Sequence, residues 1–98
     1  MSRRRPSYSA YLAEKMRSLE FAQGMIMVAV DDGESIDNAV RMAVESAGVK
    51  EFSQRSGIAI QHLSAFVRGE KKFGQKRLER CLAVFELRLS VAKKRKVA

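Results

Sequence analysis

Residues 49–69, Val49-Lys-Glu-Phe-Ser-Gln-Arg-Ser-Gly-Ile-Ala-Ile-Gln-His-Leu-Ser-Ala-Phe-Val-Arg-Gly69, carry the reading on which the fold turns. They divide at Gly57 into two short segments of helical character. A glycine there takes positive φ at little cost, so the first helix can end and the chain can reverse within about three residues to start a second helix across the first. Close crossing needs a small residue where the helices touch, and Ser53, four positions before the glycine, meets that need. Phe52, Ile58, Leu63 and Phe66 are the apolar anchors expected to fix the angle. On the second segment Gln61, Ser64, Ala65 and Arg68 fall at i, i+3, i+4 and i+7. They therefore share a face, opposite a core face of Leu63, Phe66 and Val67.

That outer face is small and polar, the character a helix needs if it is to enter the major groove without bulky groups holding it off the base edges. Gln61 is the best base reader, because glutamine presents donor and acceptor together to adenine, worth about 1–3 kcal/mol of discrimination when aligned. Ser64 suits more than one base, and Ala65 suits a thymine methyl. Arg68, with Lys71 and Lys72 in the loop beyond it, is expected at phosphates, as is Lys50 at the start of the first segment. His62 reads as exposed beside phosphate, or as structural. The plain alternative for Gln61 and Ser64 is a solvated helix face, and the glycine hinge is what favours the groove-reading one.

Working outward, Ser35 is a good cap for a helix over residues 36–47, where Ile36, Ala39, Val40, Ala43, Val44 and Ala47 keep an i, i+3, i+4, i+7 rhythm, and Gly48 stops it. Upstream, residues 9–17 predict a helix with Tyr11, Leu12, Met16 and Leu19 on a narrow apolar face. Residues 18–30 predict another, opened by Ser18 with Glu20 in its first turn. The run from Met25 to Val30 also reads as a buried strand on local propensity, and Asp31-Asp32-Gly33 ends it either way. Downstream, residues 74–85 predict a closing helix with Leu78, Cys81, Leu82 and Phe85 inside and Lys76, Arg77 and Arg80 outside. Then Leu87, Leu89 and Val91 alternate with Arg88, Ser90 and Ala92, a period of two that predicts a short strand. A lone strand is unstable, so it is expected to pair with its copy across a two-fold axis in a homodimer. The fold class is therefore all-α, a bundle of five to six helices with a short C-terminal strand at a dimer interface. A flexible basic arm (1–8), one helical domain (9–92) and a basic tail (93–98) make up the chain.

Composition sets the outer bounds. With 98 residues, 46% apolar and 31% charged, the chain is one globular domain outside the disordered regime. Its longest apolar run, residues 25–30, is too short to cross a bilayer, and no apolar stretch follows the three N-terminal arginines, so a cytoplasmic protein is expected. The net charge of +8 is unevenly placed: residues 1–48 hold six Lys/Arg and seven Asp/Glu, and residues 49–98 hold thirteen and four. A basic half of this kind suits a polyanion, although a solvated basic surface is the plain reading of charge alone. The stretch 7–48, with three basic and seven acidic residues, suits a basic partner. Cys81 has no cysteine to pair with and reads as a small buried hydrophobe. One histidine, one cysteine and no metal-ligand cluster give no footing for catalysis, so neither enzyme activity nor a cofactor or metal is expected. The basic run Lys93-Lys-Arg-Lys96 reads as a disordered tail, with phosphate contact, a nuclear address or solubility as its roles.

Residues 49–69 resemble the helix-turn-helix of lambda-repressor-like (Xre-type) regulators, aligned without gaps through Gly57, Leu63, Ala65 and Gly69. A wider order of segments is similar to the addiction-module antidote family of bacterial antitoxins over residues 9–91: Tyr11-Leu-Ala-Glu-Lys-Met, the helical stretch ending Asp31-Asp-Gly, Ala43-Val-Glu-Ser-Ala-Gly-Val, the hinge segment, and Leu78-Glu-Arg-Cys-Leu-Ala-Val-Phe-Glu-Leu87. The resemblance implies a dimeric repressor that binds its own double-stranded DNA operator. In many members the antitoxin also neutralises a small ribonuclease-like toxin encoded beside it. Two positions depart from the pattern: Ser56 stands where an apolar residue usually packs before the hinge, and Ile60 where a polar base reader is common. Ile60 is expected to meet a thymine methyl or to pack locally. Three readings follow: a DNA-binding transcriptional regulator, including a phage-type repressor with no cognate toxin; an antitoxin acting mainly through protein contact; and, weakest, a ribonuclease-like toxin, which would need catalytic side chains on a sheet.

Overall fold

Ser35 and Gly48 bracket the helix around which the others are arranged. In the computed structural model, which describes residues 8–89, six helices follow one another. They are α1 (Tyr8–Lys15), α2 (Leu19–Asp31), α3 (Ile36–Ala47), α4 (Val49–Ser56), α5 (Ile60–Val67) and α6 (Gln75–Val84). The Ser35 hydroxyl accepts the Asn38 N–H at 3.1 Å to open α3, and Gly48, at φ +96°, closes it. Ala39, Val40, Ala43, Val44 and Ala47 of α3 are buried, and their small size lets neighbours approach on several sides. As a result α3 packs against α1, α2, α4, α5 and α6.

The run Met25–Val30 is helix, not strand. Ser18 caps α2 through the Phe21 N–H, and Ala22, Ile26 and Ala29, at spacings of four and three, bury one stripe against the core. An extended chain would have buried alternate residues instead. In α1 the helix stops at Lys15, two residues earlier than the sequence predicts, and a turn through Met16 and Arg17 drives Met16 into the core. Tyr11, expected on the apolar face, is exposed. Leu12 and Met16 take the inward side, and the Tyr11 ring stacks on Tyr8 with the Lys15 ammonium above it.

The predicted strand is the clearest correction. Among the described residues there is no strand, and 87–89 have no regular structure. Glu86 takes φ +57°, the Leu87 N–H returns to the Leu82 carbonyl at 2.9 Å, and Leu87 and Leu89 pack on the chain's own core with Arg88 outside. The alternation is real, but its apolar side is used within the chain. The rest of the proposed strand (90–92), the basic arm up to residue 7 and the tail 93–98 lie outside the described residues, and Tyr8, assigned to the arm, begins α1.

The core is closed by Phe52, Leu63, Phe66, Cys81, Leu82 and Phe85, and no polar or charged residue is buried among the described residues. The Gln23 amide donates to the Phe85 carbonyl at 2.9 Å, which ties α2 to the end of α6. No helix among the described residues is long and apolar enough to cross a membrane.

Candidate nucleic-acid interface

The reversal between α4 and α5 is built on Gly57, whose φ of +78° and ψ of 7° lie in the left-handed region and whose N–H bonds the Ser53 carbonyl at 2.9 Å. Two serines lock the next residue. The Ser53 hydroxyl donates to the Ile58 carbonyl at 2.7 Å, and the Ser56 hydroxyl accepts the Ile58 N–H at 3.1 Å. Ser56, the departure from the related pattern, thus holds the turn by a hydrogen bond instead of by packing. All four expected anchors, Phe52, Ile58, Leu63 and Phe66, are buried.

Burial of Leu63 and Phe66 turns the opposite side of α5 outward. Gln61 and Arg68 are exposed on it, and Ser64 and Ala65, between them, are half-buried. Ile60 stands on one flank at 43% exposure, and His62, half-buried, on the other. Three contacts from outside the hinge segment or at its end fix α5 in place. Arg41 of α3 donates from Nε to the Phe66 carbonyl at 2.8 Å, with its guanidinium 4.7 Å from the Phe66 ring centre. The same side chain bonds Asp37 and Asn38, so α3 aims it. On the other side Phe73 stacks on Phe66 at 4.0 Å, with the planes 4° apart, which holds the loop bearing Lys71 and Lys72 against the end of the helix. The only sequence signal for Phe73 is an aromatic in an otherwise charged, glycine-flanked loop.

The basic residues do not form one cluster. Arg68 donates from two nitrogens to both Glu70 carboxylate oxygens, at 3.1 and 3.0 Å. That hydrogen bond, and then the charge pairing, raises the Arg68 pKa and lowers that of Glu70. Lys72 is exposed and Lys71 half-buried. Lys50 sits apart, in a cleft formed with Arg17, Gln54 and Arg55 and lined by no residue of α5. Lys76, Arg77 and Arg80 of α6 line a further open cleft, a basic group that the reading of 49–69 left out and that their i, i+1, i+4 spacing on one helix face would have revealed. The helix starts differ too. Serine side chains cap α2 and α3, whereas α4, α5 and α6 begin at Gly48, Ala59 and Gly74 with no side-chain cap. Their first N–H groups therefore have no side-chain acceptor. No protein-family model, no curated protein and no solved structure matches the chain.

Proposed function

We propose that the chain is a sequence-specific DNA-binding regulator in which α4, the Gly57 turn and α5 act as a helix-turn-helix and α5 enters the major groove. The observation that carries this reading is the outward face of α5, small and polar through Gln61, Ser64 and Ala65, on a helix whose other side is anchored by Leu63 and Phe66. Gln61 reads a base edge, Ser64 and Ala65 allow close approach, and Ile60 on the flank meets a thymine methyl. Lys71, Lys72 and the Lys76–Arg77–Arg80 group hold phosphates, with His62 and Lys50 at the margins, and the uncapped starts of α5 and α6 offer N–H groups to the same oxygens. Arg68 joins them by exchanging Glu70 for a phosphate. The resemblance to addiction-module antidotes extends the reading to a homodimeric repressor of its own operon.

Binding to an operator fragment tests it. Gln61→Ala is expected to weaken specific binding by about 1–3 kcal/mol and to relax one base position. Replacing Lys71 and Lys72 by alanine lowers affinity on every sequence and flattens the salt dependence. Identical effects from the two changes overturn the division of roles, and a particle that stays monomeric in light scattering at tens of micromolar overturns the dimer. A second reading, an antitoxin that acts mainly by holding a basic toxin, is favoured by the acidic N-terminal half and its open apolar groove. Co-purification with the product of the neighbouring gene tests that one.

A further inference from the structure

Helix α2 is apolar on nearly every side, yet α3 covers only one. Ala22, Ile26 and Ala29 face the core, whereas Phe21, Met27 and Val28 stand at 38, 52 and 59% exposure. A helix apolar all round belongs in an interior. Phe21, Gly24, Met25 and Val28, with Met42 of α3, line an open groove of about 560 Å³ along the α2–α3 junction. Acids mark both ends of it, Glu20 at the start of α2 and Asp32 and Glu34 beyond its end. Neither Glu20 nor Asp32 forms an ion pair among the described residues. A Cβ on Gly24 would meet nothing within 4 Å, so no contact among the described residues accounts for a mid-helix glycine. Such a glycine weakens a helix relative to alanine, and its bare backbone is what allows another chain to approach closely.

Charge and side-chain size choose among the occupants. A second copy laid on this face about a two-fold axis would set Glu20, Asp32 and Glu34 against the same acids of its partner. The chain's own basic segments are runs of charge, Arg3-Arg-Arg5 and Lys93-Lys-Arg-Lys96, flanked by Pro, Ser, Val and Ala, with no large apolar side chains at helical spacing to fill the space between Phe21, Met25 and Met42. A helix with Leu, Ile, Phe or Met along one stripe and Lys or Arg at its edges satisfies both the floor and the ends of the groove. We propose that the groove between α2 and α3 is the docking site for a basic amphipathic helix of another protein, whose apolar stripe lies over Gly24 and whose cations meet Glu20, Asp32 and Glu34. The proposal rests on the second reading above, in which the acidic half meets a basic protein, and names its surface.

The test titrates the isotope-labelled chain with two synthetic helical peptides of about four turns, one with leucines at i, i+3, i+4 and i+7 and lysines elsewhere, the other with glutamates in place of the lysines. The lysine peptide is expected to shift the amide signals of Phe21, Gly24, Met25, Val28 and Met42, and the glutamate peptide is not. Val28→Lys, at an exposed position with its fold checked by circular dichroism, should weaken the lysine peptide about tenfold or more, the loss of one apolar anchor with a repulsion added. Glu20→Lys with Asp32→Lys should transfer preference to the glutamate peptide. Equal binding of both peptides, shifts centred elsewhere, or no binding by either overturns the proposal. So does a dimer that Val28→Lys converts to monomer, which assigns the face to a second copy. If the neighbouring gene's product binds with the same affinity to the Val28→Lys chain, the groove is wrong and the second reading stands. If it does not bind the unaltered chain at all, that reading falls with it.

Discussion

Two glycines in this chain make opposite demands on a methyl group. Gly57 sits at φ +78°, where an L side chain costs about 1–2 kcal/mol, so Gly57→Ala should lower the unfolding free energy measured in urea by that amount and a β-branched residue by more. Gly24 lies inside α2 with open space around it, so Gly24→Ala should stabilise the isolated chain by about 0.5–1 kcal/mol, seen as a rise of several degrees in Tm. A loss at position 24 would mean that α2 is not a regular helix there. Cys81 is wholly buried, and that burial pushes its thiol up to about 12 against the pull of Arg77 and Arg80. A raised thiol pKa means that the stability it contributes is complete below the unfolded value, about 8.5, and is lost as pH climbs through the folded one. Cys81→Ala should therefore flatten the alkaline limb of the stability profile, and the native thiol should resist disulfide reagents at pH 8 until the chain unfolds.

At the scale of elements, the pair α4 and α5 was legible because its signals are local. Gly57, Ser53 and the spacing of Phe52, Ile58, Leu63 and Phe66 all lie within one short stretch, and α3 could be bounded to the residue because Ser35 and Gly48 flank an unbroken apolar rhythm. The contacts that aim α5 were not legible. Arg41 meets Phe66 across 25 positions and Gln23 meets Phe85 across 62, and no pattern in sequence pairs a polar side chain with a distant carbonyl. The strand expected after Glu86 is absent over residues 87–89 for a related reason: Leu87 and Leu89 alternate as a strand would, but a period of two says only that one side is buried, not what buries it. Arg41→Ala removes a charge-assisted hydrogen bond at a helix end and should cost about 1.5–3 kcal/mol in urea denaturation. Arg41→Lys should restore little, because an ammonium lacks the planar fork that spans Phe66, Asp37 and Asn38 at once. Beyond the end of α5, Glu70→Gln releases Arg68 from its carboxylate and should raise affinity for any duplex and steepen the salt dependence by about one counterion, measured by fluorescence anisotropy across a salt series.

At the scale of the molecule, the two ends of the sequence become two kinds of surface. Within the described residues four of the seven acids outside ion pairs, Glu20, Asp31, Asp32 and Glu34, lie on α2 and the turn after it, and seven of the nine cations outside ion pairs lie on α4, the loop after α5, and α6. Attraction to a polyanion should therefore orient the particle before any contact is made, with an on-rate that falls steeply as ionic strength rises, readable by stopped flow.

The serine caps divide the helices in a similar way: α2 and α3 each close one first-turn N–H with their own serine, and the first turns of α4, α5 and α6 have no side-chain cap. Whatever anion closes those turns also stiffens them, so ligation and folding strength are thermodynamically linked. Low-salt melting with a short duplex should move the transition upward, and amide exchange should slow first at the opening turns of α5 and α6 while α3 stays as it was.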